Sequence, residues 1–166
     1  PPFFQKLARA MGSSSFRSPR LSRLSLPVRV LWALPYSLLG LLIALPACAL
    51  GARLRRHDHT LECTGGRLPR WMQRLPNRHR IAAITLGHVV LAVNSSAMQQ
   101  LRAHERVHVQ QYERWGPFFG PAYVLESLWQ ALHGRDAYRA NRFEQEAYAK
   151  GGPFTPGPAR MPAASS

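Results

Sequence analysis

Along the chain the pattern of apolar and polar positions divides into four stretches. Residues 1–26 contain Gly12-Ser13-Ser14-Ser15, Pro19 and scattered arginines with little apolar periodicity, so residues 1–27 read as a basic, disordered segment. From Val30 to Leu50, "VLWALPYSLLGLLIALPACAL" carries no charge over about 21 residues, the length that crosses a hydrocarbon core of about 30 Å. Residues 28–50 are therefore expected to be a membrane helix, or a re-entrant hairpin bent at Pro35, Gly40 and Pro46. The alternative is a buried helical hairpin packed on the domain that follows. Arginines flank the run on both sides (Arg17, Arg20, Arg23 and Arg29 before it, Arg53, Arg55, Arg56, Arg67 and Arg70 after it), and the positive-inside rule leans to a cytoplasmic catalytic domain.

Past residue 50 the periods are those of a mixed α+β domain, expected over residues 51–151. "HTLECTGG" alternates and closes on two glycines, as a strand and turn do. "RLPRWMQRLP" reads as a short basic amphipathic helix with Leu68, Trp71, Met72 and Leu75 on one side. Arg80 to Val93, "RIAAITLGHVVLAV", is β-branched and apolar with Gly87 in its middle, which gives a hairpin turning at Leu86-Gly87-His88 or one bent strand. Ser96 with Gln99 three residues on forms a capping box, and the spacing predicts a helix from Ala97 to Trp115 that stops at Gly116-Pro117. "PAYVLESLWQALHG" predicts a second helix, a core helix since Glu126 in its middle argues against a span. A third is expected from near Asn141 to Gly151, and residues 152–166 form a disordered Pro/Ala/Ser tail.

Composition narrows the partners. The net charge is +14, from 22 Lys+Arg against 8 Asp+Glu, which favours anionic surfaces. No nucleic-acid signature interleaves the arginines with aromatics, so nucleic acid is disfavoured and membrane lipid is the expected partner. Cys48 and Cys63 do not form a CxxC and are too few for a thiolate site, so any metal must use other ligands.

Such ligands stand in "LRAHERVHVQQYERWG". His104 and His108 are four apart on the long helix, hence on one face, and both imidazoles can address one ion. Glu105 is rotated by about 100° from His104 and reaches the water at the ion instead of the ion itself. An HExxH string arises by chance in about one sequence in a hundred of this composition, so context carries the assignment. A catalytic zinc needs a third protein ligand. Glu113 faces wrongly for the ion, while Glu144 and Glu146 lie on a separate helix and, two residues apart, point to different sides, so one of them can bind.

"HERVH" followed by "FEQEAY" resembles the gluzincin metallopeptidases, in which HExxH is completed by a glutamate on a later helix, often within ExxA and with a carboxylate one residue after the alanine. The resemblance implies that Glu144 of Glu144-Gln145-Glu146-Ala147 is the third ligand of one Zn2+ and Glu105 the general base of peptide hydrolysis. Tyr148 stands where the orienting carboxylate would be. It also implies that "ITLGHVVLA" is the edge strand that aligns a peptide, the alternative being a core strand. The layout from "TLGHVVLA" to "NRFEQEAYA" is further similar to a group of small, uncharacterised bacterial membrane-associated proteins.

His88 reads as a turn histidine, and His57, His59 and His79, in arginine-rich stretches, as solvated or headgroup-facing. His133, Tyr112 and Tyr148 are candidate donors to an oxyanion. The expectation is thus a minimal zincin-like α+β domain behind an N-terminal membrane segment, in the bacterial inner membrane, acting as a zinc metallopeptidase. The alternative is a non-catalytic membrane-bound adaptor with a structural or vestigial metal site.

Overall fold

The computed structural model describes residues 25–74 and 81–152. Two helices come first, α1 (Leu26–Trp32) and α2 (Leu34–Ala49), then strands β1 (Ala52–His57) and β2 (Thr60–Gly65) and a short helix α3 (Leu68–Met72). A second hairpin, β3 (Ala83–Leu86) and β4 (Val89–Ala92), leads into the long helix α4 (Ser95–Trp115). After one 3-10 turn follow α5 (Phe119–Leu132) and α6 (Arg142–Gly151). The expectations for residues 1–24 and 153–166, for Leu75 and for His79 fall outside the described residues.

The four strands form one sheet in the order β1-β2-β4-β3, antiparallel within each hairpin and parallel where β2 meets β4. Strand β4 is buried at every position. Successive side chains of a strand point to opposite faces, so four consecutive apolar residues require cover on both. Val89 and Leu91 pack in a core with Ala44 and Ala47 of α2, Cys63 of β2, and Leu68 and Met72 of α3. Val90 and Ala92 pack on the other side with Met98 and Val109 of α4. Each large side chain so buried contributes roughly 1.5–3 kcal/mol. The outer strand β1 is mostly exposed and carries Arg53, Arg55 and Arg56, charges that discourage pairing with another chain.

The apolar run of residues 28–50 does not form the expected membrane helix. It breaks at Ala33, two residues before Pro35, which lacks an N–H and sits in the first turn of α2. Helix α2 has 16 residues, about 24 Å at 1.5 Å per residue, and among the described residues no helix is long and apolar enough to cross a membrane. Nor does the run bend back at Gly40 or Pro46, since both lie inside the single helix α2. Ser37, Gly40, Ala44 and Ala47 form one small-residue stripe that lies on the sheet, while Leu38, Leu42 and Leu45 face outward. The membrane segment, the membrane-lipid partner and the inner-membrane location all depend on a span that the described residues do not form. The helical packing on the domain resembles the alternative drawn from the same residues.

The second helix, α5, is expected in the core, yet it buries Phe119 and Gln130 and leaves Val124, Leu125, Leu128 and Leu132 exposed. The other local signals hold with small shifts. The hairpin turns at Gly87-His88, and Gly87 takes φ +61°, a left-handed conformation suited to glycine. Helix α4 starts two residues earlier than expected because Asn94, not Ser96, is the cap, its side chain accepting from the Ala97 N–H at 2.8 Å. Asn141 caps α6 by accepting from the Phe143 N–H. Leu68 and Met72 of the basic amphipathic turn point into the core.

A methyl group on Gly87 would meet Ser37 Oγ, the Ser37 nitrogen at 2.6 Å and the Ala33 carbonyl oxygen at 2.9 Å. Gly87→Ala should therefore lower stability by about 2–4 kcal/mol, from left-handed strain plus overpacking against α2 backbone. The midpoint of urea unfolding measures this.

Candidate metal centre

Helix α4 carries an unusual load into the interior: His104, Glu105, His108, Gln111 and Glu113 are all buried. Helix α6 folds back along it and brings Glu144, itself 3% exposed, against the histidine pair. His104 Nε2 and His108 Nε2 are 3.1 Å apart, His104 Nε2 is 3.3 Å from Glu144 Oε2, and His108 Nε2 is 3.4 Å from Glu144 Oε1. Donors around a tetrahedral ion at about 2.0–2.1 Å stand about 3.3 Å apart. The His104-Glu105-x-x-His108 motif and the distal Glu144 thus form a zincin-like metal-binding triad, with a geometry compatible with a single Zn2+.

The surrounding hydrogen bonds fit that set. Gln111 donates its amide N–H groups to Phe143 O at 3.0 Å and Glu146 Oε2 at 2.9 Å, which turns its carbonyl oxygen toward His108 Nδ1 at 2.8 Å. Nδ1 therefore carries a proton, and Nε2 is the atom offered to the ion. Tyr123 of α5 donates to Glu144 Oε1 at 2.7 Å and orients the carboxylate. Glu144 Oε2 is buried with no hydrogen-bond partner, the state of an oxygen whose natural neighbour is a cation. His104 Nδ1 also lacks a partner. Instead, Tyr148 lays its ring against the His104 imidazole at 4.6 Å, so packing positions this histidine where the gluzincin pattern has a carboxylate.

Glu146 is turned away. It accepts from Arg114 at 2.7 Å, Lys150 at 2.6 Å and Gln111, and although burial pushes its carboxyl up, these donors hold it down at about 2. Of the two late glutamates, only Glu144 meets the histidines. Glu105 sits beside them, 6% exposed, with the Thr85 hydroxyl of β3 donating to Oε2 at 2.6 Å. Both groups border a cavity of about 580 Å³ whose walls include Ile84, Leu86, Phe119, Tyr123 and Tyr148. Among the described residues, strand β3 is the last strand of the sheet on this side.

Other candidates fall elsewhere. Tyr112 and Tyr148 line the cavity, whereas His133 hydrogen-bonds through Nδ1 to Trp129 O at an exposed helix end and does not reach it. His57 is part-exposed beside Asp58. Glu113 faces away from the triad as expected, but His88 is buried, and His59 and His88 both turn toward Glu113. Thr85 and Tyr123 stand out in the sequence only as members of a strand and of a core helix. Nothing local marks them, because each acts on a side chain at least 20 residues away in sequence.

Burial alone would lower the basicity of His108, but the Glu144 carboxylate, Glu105 and Gln111 outweigh it and raise its pKa from 6.5 to about 9. Burial likewise pushes Glu144 up, yet the two imidazoles and Tyr123 bring it well below the usual carboxylate range. In the metal-free protein the His108 contribution to stability is complete below pH 6.5 and lost as pH rises through about 9, and the Glu144 contribution is present above 4.5 and lost on acidification. Metal-free protein should therefore lose on the order of 3 kcal/mol between pH 6 and 9. Stabilisation by added Zn2+ should grow over the same interval, since the ion displaces a proton. Thermal unfolding of chelator-treated protein with and without Zn2+ checks both slopes.

Gly151 sets the approach of α6: a methyl there would lie 2.6 Å from His104 Cα and N. Gly151→Ala should push Glu144 off the pair and weaken Zn2+ binding by about 10–100-fold with helix content retained, as read by calorimetric titration and circular dichroism.

No protein-family model, curated protein or solved structure matches this chain, so the expected likeness to small bacterial membrane-associated proteins has no counterpart among them, and the character of the centre rests on its own geometry.

Proposed function

We propose that this chain is a zinc-dependent hydrolase of the metallopeptidase type, with His104, His108 and Glu144 holding one Zn2+ and Glu105 acting as general base. The observation that carries the proposal is the meeting, in one cavity, of a tetrahedrally spaced His/His/Glu donor set with a buried glutamate that is not part of it. Bound to these three side chains, Zn2+ supplies Lewis acidity, polarising a carbonyl and lowering the pKa of a water to near 7.

The remaining work belongs to the chain. Glu105 takes the proton of the attacking water and passes it to the leaving amine; the Thr85 hydroxyl holds one of its oxygens and leaves the other free for that transfer. Tyr123 keeps the Glu144 carboxylate turned to the histidines, and Gln111 keeps His108 in the required tautomer. Strand β3 is the last strand of the described sheet and borders the cavity, and an extended peptide adding to its outer side by main-chain hydrogen bonds would run past Glu105. The walls at Ile84, Leu86, Phe119 and Tyr123 favour apolar side chains beside the scissile bond.

Glu105→Gln should retain one equivalent of Zn2+ at this centre and lose at least about 100-fold in turnover, whereas His108→Ala should lose the metal itself. Metal analysis paired with mass-spectrometric reading of cleavage in an unbiased peptide library tests both. Unchanged cleavage by Glu105→Gln would reject the base, and undiminished zinc in His108→Ala would reject the centre.

A further inference from the structure

The turn residues His59 and His88 and the helical residue Glu113 take no part in the centre above, yet they converge just as closely. Glu113 lies nine residues beyond His104, a rotation of about 180° around α4, so it faces the opposite side of the helix. His88 Nε2 is 3.2 Å and His59 Nε2 3.4 Å from the same oxygen, Glu113 Oε1. The two rings meet edge to face at 5.6 Å, and all three donor atoms lie within 4.8 Å of one another.

We propose that His59, His88 and Glu113 form a second divalent-metal site, one that takes Zn2+ or an ion of similar preference and ties both hairpin turns to the back of α4. The spacing matches that of the first centre, where the corresponding nitrogen-to-carboxylate distances are 3.3 and 3.4 Å. A charge-assisted hydrogen bond from imidazole to carboxylate is normally shorter, about 2.7–2.9 Å, whereas ligands sharing a tetrahedral ion stand about 3.3 Å apart.

The outer contacts agree with that role. Ser37 Oγ accepts from the His88 backbone N–H at 3.0 Å and gives its own proton to Ala33 O at 3.1 Å. Toward His88 Nδ1, 3.4 Å away, it is thus left as an acceptor, which puts the ring proton on Nδ1 and the lone pair on Nε2, aimed at Glu113. Nε2, 3.2 Å from Glu113 Oε1, is then the ring atom open to a cation; without a metal, a second ring proton bridges the pair. The second carboxylate oxygen, Oε2, is held by Arg29 Nη1 at 2.9 Å, the kind of partner that orients a ligating carboxylate. His59 is 28% exposed, so the site opens to solvent and leaves a position for water. The nearby Arg29 charge opposes a cation, which makes this the weaker of the two sites.

The inference is independent of the proposed hydrolysis, and the test separates them. The metal-stripped full chain is titrated with Zn2+ calorimetrically, with circular dichroism confirming that each variant is folded. Wild type should bind two equivalents with distinct affinities. His59→Ala, a part-exposed turn change, and Glu113→Gln, which keeps side-chain volume, should each bind one equivalent and retain the tighter event. His108→Ala should bind one and retain the weaker. Two undiminished equivalents in His59→Ala, or a single wild-type event abolished by His108→Ala, would overturn the second site while leaving the first intact. A single event abolished by His59→Ala and untouched by His108→Ala would establish the second site and reject the first.

Discussion

The constraint from which the rest of this structure follows is the burial of five polar side chains on one helix. An uncompensated buried carboxylate or imidazole costs several kcal/mol, so each must find a partner inside the protein. Four neighbouring parts of the chain supply them: α6 gives Glu144 to the histidine pair and Phe143 O and Glu146 to Gln111, β3 gives Thr85 to Glu105, and α1 and the two hairpin turns give Arg29, His59 and His88 to Glu113. The polar face of α4 organises the fold as much as its apolar face, which packs Met98 and Val109 on the sheet.

Meeting those partners demands that elements approach closely, and small residues are placed where they do. Gly151 lets α6 reach the backbone of α4 at His104, Gly40 lets α2 lie on Val89, and Gly87 tucks the β3–β4 turn under Ser37. The stripe of Ser37, Gly40, Ala44 and Ala47 serves the same end along α2. Close approach of backbones, with β4 covered on both faces, fixes the strand edge relative to Glu105 to a precision that longer side chains at these contacts would spoil.

The centre departs from the gluzincin pattern at Tyr148. A carboxylate at that position would hydrogen-bond a ligand histidine and add negative charge, whereas the phenol ring only packs at a tilt on His104 and leaves Nδ1 without a protein partner. His108 keeps a polar anchor through Gln111. The two imidazoles are thus held by different forces, one by packing and one by hydrogen bonding, and the carboxylate is oriented by a tyrosine from a third helix.

Local features are legible in the chain itself: the i, i+4 histidines, the long helix that bears them, the hairpin at Gly87 and the helix begun at Asn141 depend on residues within a few positions of each other. Even the cap of α4 lies only two residues from its expected place, since Asn94 and Ser96 are both good acceptors and only the backbone conformation chooses between them. The apolar run of residues 28–50 misleads because hydropathy counts apolar side chains without knowing that a sheet will take their small-residue face. Which late glutamate meets the histidines, which hydroxyl holds Glu105, and that three residues from two turns and a helix converge on its far side are decided by tertiary structure alone. Those contacts join segments 20 or more residues apart, and their distances are set by how helices and sheet pack, which no local pattern of the chain encodes.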